Sequence, residues 1–347
     1  MAPSWRRENH GTLSVLSGAW PEACPHSPIS LPLTARLLMV YPFLMRCPFC
    51  YRHCDVTSSF HGFCGGRTAE DGKLRDLYYG RLASVALDPV EKKPLYHFLP
   101  GTKTLSLCME GCDFDCDFCQ NWEIARRRSR GLPYVAPEEI VEYALSLSCP
   151  SISYTYTEPL VWQDYMLAVQ AAARGTGLKG IMVSNGSFSE EAMDAVIPCL
   201  DAFNIDLKGD EEYYRRICHG SIKPVLDGIE RIVQEGKHLE VTTMVIEGIH
   251  DLEMIEKLGA LLYQRGVKVW HISRFFPMRR MADRQPTSER FLSEALKKAR
   301  DSKIPHIYAG NSRIKTPVTC PECGRETDGG LCNHCRVSIY GVWTTTG

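Results

Sequence analysis

The stretch Ser106–Trp122, S-L-C-M-E-G-C-D-F-D-C-D-F-C-Q-N-W, decides how the rest of the chain is read. Cys112, Cys116 and Cys119 fall in a C-x3-C-x2-C spacing, which needs a tight loop. Three thiolates this close cannot pair off as disulfides without leaving one over. They can hold three irons of a [4Fe–4S] cube and leave the fourth iron without a protein ligand. A zinc knuckle and simple burial are the competing readings. Structural zinc takes four ligands, commonly as paired C-x2-C units, and the spacing here is unpaired.

The chain around this loop has 347 residues, room for one large core and one or two small modules. Lys and Arg number 40 against 41 Asp and Glu, a balance that points neither to nucleic acid nor to a membrane surface. Sixteen cysteines are too many for packing alone, and most fall in three groups. Besides the central set with Cys108, there are Cys47/Cys50/Cys54/Cys64 and Cys320/Cys323/Cys332/Cys335. Such clusters in a long chain read as metal sites in a reducing compartment, so a cytoplasmic location is expected. Cys24, Cys149, Cys199 and Cys218 are isolated and read as small buried apolar residues.

Four regions are expected. Residues 1–44 form an extension rich in Pro, Ser and His, with Met39 or Met45 as alternative starts; its apolar run is too short and broken to span a bilayer. Residues 45–101 form a cysteine module, C-x2-C-x3-C-x9-C, followed by the Pro-interrupted linker Asp88–Gly101. This spacing suits zinc or a second cluster, with zinc favoured because small four-cysteine modules more often use it. Residues 102–311 alternate strands (102–107, 151–156, 179–184, 202–207, 239–245, 269–273, 304–308) with helices (137–147, 160–174, 189–197, 224–235, 252–264, 288–300). Regular alternation implies parallel strands with right-handed crossovers, hence an α/β fold built as a partial (β/α)6 barrel of TIM type. Its chemistry would sit at the carboxyl ends of the strands. Residues 312–347 form a zinc-ribbon-like tail, in which two C-x2-C knuckles can close round one Zn2+.

The C-x3-C-x2-C spacing, with Phe118 before the last cysteine, resembles the radical-SAM signature. Its open iron is where S-adenosylmethionine (SAM) chelates through amino and carboxylate groups. The polar strand ends then become candidate SAM contacts: Thr157 and Glu158 before Pro159, Ser184 and Asn185, Asp206 and Lys208 in N-I-D-L-K, and His271. His271 could equally be a core histidine, and Asp206 with Lys208 a surface pair.

From Cys47 to Cys335 the chain resembles the radical-SAM enzyme of the AmmeMemoRadiSam system. The likeness rests on DPVEKKPLYHFLPG (88–101), GCDFDCDFCQNWEI (111–124), YTYTEP (154–159), NIDLK (204–208), HISRFFP (271–277) and YAGN (308–311). More distantly it is similar to the glycyl-radical-enzyme activating enzymes, such as pyruvate formate-lyase activase. The resemblance implies a [4Fe–4S] cluster on Cys112, Cys116 and Cys119, bound SAM, and reductive cleavage to methionine and a 5′-deoxyadenosyl radical. That radical would take hydrogen from a substrate that the residues do not name. It also implies a low-potential donor of flavodoxin or ferredoxin type and leaves room for a protein substrate. A metal scaffold without turnover is the reading from another class. Two features depart from the family. Asp113, Asp115 and Asp117 make the loop unusually acidic, which reads either as a solvated face or, if the carboxylates lie close, as charges that disfavour the reduced cluster and lower its potential, and the tail between Cys323 and Cys332 is compressed.

Overall fold

The computed structural model describes residues 44–126 and 131–343. The expected N-terminal extension, except Leu44, lies outside them.

The cysteine module opens with two antiparallel pairs, β1 (Met45–Arg46) with β2 (Asp55–Val56) and β3 (Arg67–Glu70) with β4 (Lys73–Asp76). The main sheet follows: β5 (Ser84–Pro89), β6 (Lys103–Cys108), β7 (Ser151–Tyr154), β8 (Lys179–Ser184), β9 (Ala202–Asp206), β10 (His238–Val245), β11 (Val269–Arg274) and β12 (His306–Gly310). Its eight strands lie in sequence order from β5 to β12. All neighbours from β6 onward are parallel, and β5 is antiparallel to β6. The α/β class and the seven expected parallel strands hold. β5 is an addition: its outward Val85 and Leu87 are half exposed, as suits an edge.

The helices are α1 (Trp122–Arg126), α2 (Pro137–Ser146), α3 (Gln163–Ala172), α4 (Glu190–Val196), α5 (Glu211–Tyr213), α6 (Lys223–Gln234), α7 (Leu252–Gln264) and α8 (Glu289–Arg300). Their buried positions repeat at i, i+3, i+4 and i+7: Val225, Gly228, Ile229 and Ile232 in α6, and Leu292, Ala295, Leu296 and Ala299 in α8. That stripe seats each helix on the outer face of the sheet. The expected starts at Ser189 and Ser288 are N-caps, each hydroxyl accepting from the backbone N–H three residues on.

The other face of the sheet is polar. Thr104, Ser106, Ser153, Asn204, Glu240, Thr242 and His271 are buried there. The linker lies along this face and satisfies it. Lys93 donates to Asp88 on β5, Asn204 on β9 to the Pro94 carbonyl, the N–H groups of Tyr96 and His97 to Glu240 on β10, and His97 pairs with Tyr308 on β12. A flat sheet would hold its two edge strands about 34 Å apart. The backbone from residue 93 to 97 reaches at most about 14 Å. One short segment meeting both edges means the sheet is curled around it.

The tail closes the base of this trough. Val342 donates to the His97 carbonyl, Leu99 to the Val342 carbonyl, and the Leu239 N–H to the Tyr340 hydroxyl. Leu239 lies at the start of β10, so the tail sits at the amino ends of the strands. The cluster loop leaves the carboxyl end of β6. The two cysteine modules therefore occupy opposite ends of the sheet, because the first module bonds to the loop after β8 through Tyr51 N–H to the Ser187 carbonyl.

Candidate active site

The loop after β6 presents Cys112, Cys116 and Cys119 beside the ends of β7, β8 and β9. Cys116 is buried, while Cys112 and Cys119 are half-buried, and all three are free thiols. Burial pushes each thiol above its ordinary range. For Cys116 the larger cause is a hydrogen bond with Cys218, a residue whose isolated place in the sequence gave no hint of this contact. Backbone N–H of Phe114 donates to Cys112 Sγ at 3.4 Å and Asn185 Nδ2 approaches it at 3.8 Å. Three free thiols on one loop, with N–H donors aimed at the sulfur of Cys112, suit an iron–sulfur cluster, whose sulfurs take up such hydrogen bonds.

Glu158 gathers the next strand ends around this loop. Its carboxylate accepts from Ser184 Oγ at 2.8 Å, Asn185 N–H at 2.8 Å and Leu160 N–H at 3.1 Å. Asn185 in turn donates to Asp113 at 2.8 Å. Glu158, Ser184, Asn185, Asp113 and Cys112 thus form one connected set. Burial, then the neighbouring Asp113 charge, pushes the Glu158 carboxyl up to about 8. Two buried carboxyl groups side by side, Asp113 also feeling the Arg52 guanidinium, make a place where an added ammonium group would be favoured.

The chain turns sharply to make this set. β7 ends at Tyr154, and Tyr156 takes a left-handed φ of 69°. Its hydroxyl donates to Asp88 and its carbonyl accepts from Asn121 Nδ2 at 2.6 Å, which hold the unfavourable conformation. Thr157 faces away from Glu158. Its hydroxyl donates to the Met109 carbonyl at 2.5 Å, where it braces the start of the cluster loop.

Asp206 and Lys208 reach the other side of the loop. They pair at 2.7 Å, and the Lys208 ammonium lies over Phe118. Burial would lower the Lys208 pKa, but Asp206 and then Cys116 outweigh it and keep the side chain charged.

His271 is not with them. β11 runs three residues past it, and its Nε2 contacts Glu240 at 2.6 Å on the polar trough face beneath Tyr96. Of the two readings in the sequence, the core histidine describes its position.

The acidic loop is not a solvated face either. Asp113 is buried and accepts from Ser187 Oγ at 2.5 Å as well as from Asn185. Asp115 meets Arg126, Arg279 and Arg280 at 2.7–2.9 Å, and Asp117 meets Arg280 and His219. Burial alone would raise Asp115, but the bonds from Arg279 and Arg280 hold it below the usual carboxylate range. Arg279 and Arg280 lie more than 150 residues further on, and nothing local in the sequence pairs them with the loop.

In the tail, Cys320, Cys323, Cys332 and Cys335 place their ligand atoms within 4.8 Å of one another. Tetrahedral zinc with Zn–S near 2.3 Å requires sulfurs about 3.8 Å apart, so this set fits one metal ion.

Comparison with known proteins places part of the chain in a known family. Residues 106–261 match the radical SAM superfamily domain. An uncharacterized protein of Methanocaldococcus jannaschii is 37% identical over 288 residues, covering 81% of this chain and 86% of the relative. GTP 3′,8-cyclase of Paracoccus denitrificans is 24% identical over 156 residues, 43% of this chain and 45% of that one. Among solved structures, Streptococcus suis SuiB bound to precursor peptide SuiA aligns with a TM-score of 0.48 at 12% identity, over 64% of this chain and 51% of that one. A domain of pyruvate-formate lyase-activating enzyme from Bacteroides vulgatus aligns with a TM-score of 0.40 at 18% identity, over 46% of this chain and 98% of that domain. The chain belongs to the radical SAM superfamily. Membership implies an enzyme with a [4Fe–4S] cluster and SAM. Among the described residues no helix is long and apolar enough to cross a membrane.

Proposed function

We propose that this chain cleaves SAM reductively to a 5′-deoxyadenosyl radical and directs that radical at a substrate held over the polar trough. The observation that carries the reading is the hydrogen-bonded set linking Cys112 to Asp113, Asn185, Ser184 and Glu158. Cys112, Cys116 and Cys119 would hold the cluster, which when bound supplies an open iron for SAM chelation and the electron that breaks the C5′–S bond.

The chain's own residues do the positioning. The methionyl ammonium of SAM would lie against Glu158 and Asp113, where its charge would favour their ionised forms and displace the proton that burial holds on Glu158. Ser184 and Asn185, fixed by Glu158, offer hydrogen bonds to its polar groups. Lys208, kept charged by Asp206, stands beside Cys116 as a cation near the cluster's negative charge. Phe118, buried within the loop, limits water there.

The matched motifs support kinship with the AmmeMemoRadiSam radical-SAM enzyme. A glycyl-radical activase is the alternative within the class. A reductant of flavodoxin or ferredoxin type and a protein or peptide substrate remain part of the proposal. The test is anaerobic reconstitution followed by reduction with SAM. Formation of 5′-deoxyadenosine supports enzymatic cleavage. A loaded, folded protein that binds SAM and forms none supports the scaffold reading.

A further inference from the structure

The two outer cysteine sets differ in geometry and in place. Among the described residues, the tail four are the only group of three or more ligands brought within 4.8 Å of one another. No three of Cys47, Cys50, Cys54 and Cys64 close to that spacing, and neither do Cys112, Cys116 and Cys119. A single zinc ion draws its four sulfurs onto one small tetrahedron. A cluster spreads its thiolates over several irons and holds them further apart. By this measure the first module resembles the central set and not the tail.

Its place supports an electron route. Phe63 N–H donates to Cys54 Sγ and Gly66 N–H to Cys64 Sγ, each at 3.4 Å, bonds that ligating thiolates of either kind take up, as Cys112 does from Phe114 and Cys332 from the tail backbone. Cys47, Cys50 and Cys64 are buried, and Cys54 is half-buried. The module is built against the cluster loop. Arg52 Nε donates to the Asp113 carbonyl at 2.5 Å, Tyr51 meets Phe114 edge-on at 5.9 Å, and Ser189 Oγ donates to the Pro48 carbonyl. A Cβ built on Gly111, next to Cys112, would lie 3.5 Å from the Cys64 carbonyl. Protein atoms fill the path between the sets. The tail lies at the far end of the sheet, where a closed ion can act only on stability.

We infer that Cys47, Cys50, Cys54 and Cys64 hold a second iron–sulfur cluster, which passes electrons to the one on Cys112, Cys116 and Cys119. One electron leaves the outer cluster, which is oxidised, and enters the central one, which is reduced. A low-potential one-electron carrier restores the outer cluster. The inference rests on the proposed radical-SAM reading of the central loop, and the test separates the two.

Three variants of the full chain are reconstituted anaerobically: Cys54→Ala, the triple Cys112→Ala/Cys116→Ala/Cys119→Ala, and Cys335→Ala. Iron, sulfide and zinc are counted for each. The triple variant should keep iron and sulfide in equal amounts, together with one zinc, and should show a cluster signal that SAM does not move. Zinc in place of that iron, or no iron at all, overturns the inference and leaves the central reading untouched. Cys335→Ala should lose zinc and no iron. Cys54→Ala should keep the SAM-sensitive signal when reduced by dithionite. Its central cluster should be reduced several-fold more slowly than wild type by reduced flavodoxin in rapid mixing. Equal rates would overturn the relay. Should Cys54→Ala fail to fold, the iron count of the triple variant still decides the site. Failure of the central reading would show separately, as a wild-type signal indifferent to SAM.

Discussion

Glu158 is where a single side chain does most for the site, because three donors on two segments converge on it. Glu158→Gln removes the charge that a bound ammonium would draw out of the carboxyl and nearly preserves the shape. A hydrogen bond to a charged group contributes about 1.5–3 kcal/mol, so SAM affinity should fall by about tenfold or more. Iron content should not change, since the Glu158 side chain bonds to Leu160, Ser184 and Asn185 and to none of the three cysteines, and its backbone bond to the Gly111 carbonyl is kept in the variant. Titration of SAM into the reduced variant measures this, and unchanged affinity would leave Glu158 a purely structural role. Arg280 tests the electrostatics from the other side. It pairs with both Asp115 and Asp117 and is half exposed. Arg280→Ala strips a cation from the loop and leaves two carboxylates less compensated. The more negative, reduced cluster is then disfavoured, so the midpoint potential should drop. A spectroelectrochemical titration that finds the same or a higher potential would contradict this account of the acidic loop. Sequence reading found Glu158 and Asn185 because strand ends in a parallel sheet converge. It left two readings of Asp113, Asp115 and Asp117 open, and could not decide between them because groups that bury or neutralise them, Ser187, Arg279 and Arg280, come from far along the chain.

At the scale of elements, the linker and the tail hold the trough together through Glu240. This buried carboxylate accepts from two backbone N–H groups of the linker and contacts His238 and His271. Burial would raise its pKa, but the bonds from His238 and His271 outweigh that and hold it below the ordinary range. A carboxylate depressed in the fold adds stability that is present above the unfolded range near pH 4.3 and is lost as pH falls through it. Glu240→Ala should therefore cost about 3 kcal/mol or more at neutral pH, because several buried donors lose their acceptor together. The gap to wild type should narrow below about pH 4. Thermal unfolding across that range checks both the size and the sign. The tail is a second element held by its own chemistry. Cys320→Ala, or a chelator acting on a metal held by the four cysteines, should free Tyr340 and Val342 from Leu239 and His97 and expose residues 312–343 to proteolysis. The SAM-sensitive signal should survive. Its loss from a folded protein with full central iron would show that the tail does more than brace the base.

Across the whole molecule, the parallel α/β frame was legible because strand-like and helix-like segments alternate regularly from residue 102 to 311, and the longer helices such as α6 and α8 carry an i, i+3, i+4 stripe. The curl of the sheet was not, since it depends on Asp88–Gly101 lying inside the trough. Prolines at 89, 94 and 100 argued only against a helix there. Edge strand β5 was missed for a related reason: half its side chains face outward and break the buried pattern. His271 shows the limit of placing residues by strand alone, because three further residues separate it from the strand end. The frame brings three unpaired cysteines to the carboxyl ends of the strands, beside a Glu–Ser–Asn set suited to an amino acid headgroup. The most direct test of that central claim is the electron-paramagnetic spectrum of the anaerobically reduced protein with and without SAM. A cluster with one iron free for chelation should give a [4Fe–4S] signal whose g-values shift when SAM is added, and Cys116→Ala should abolish both signal and shift. A fully loaded cluster whose spectrum SAM leaves unmoved, while SAM binds elsewhere on the protein, would contradict it.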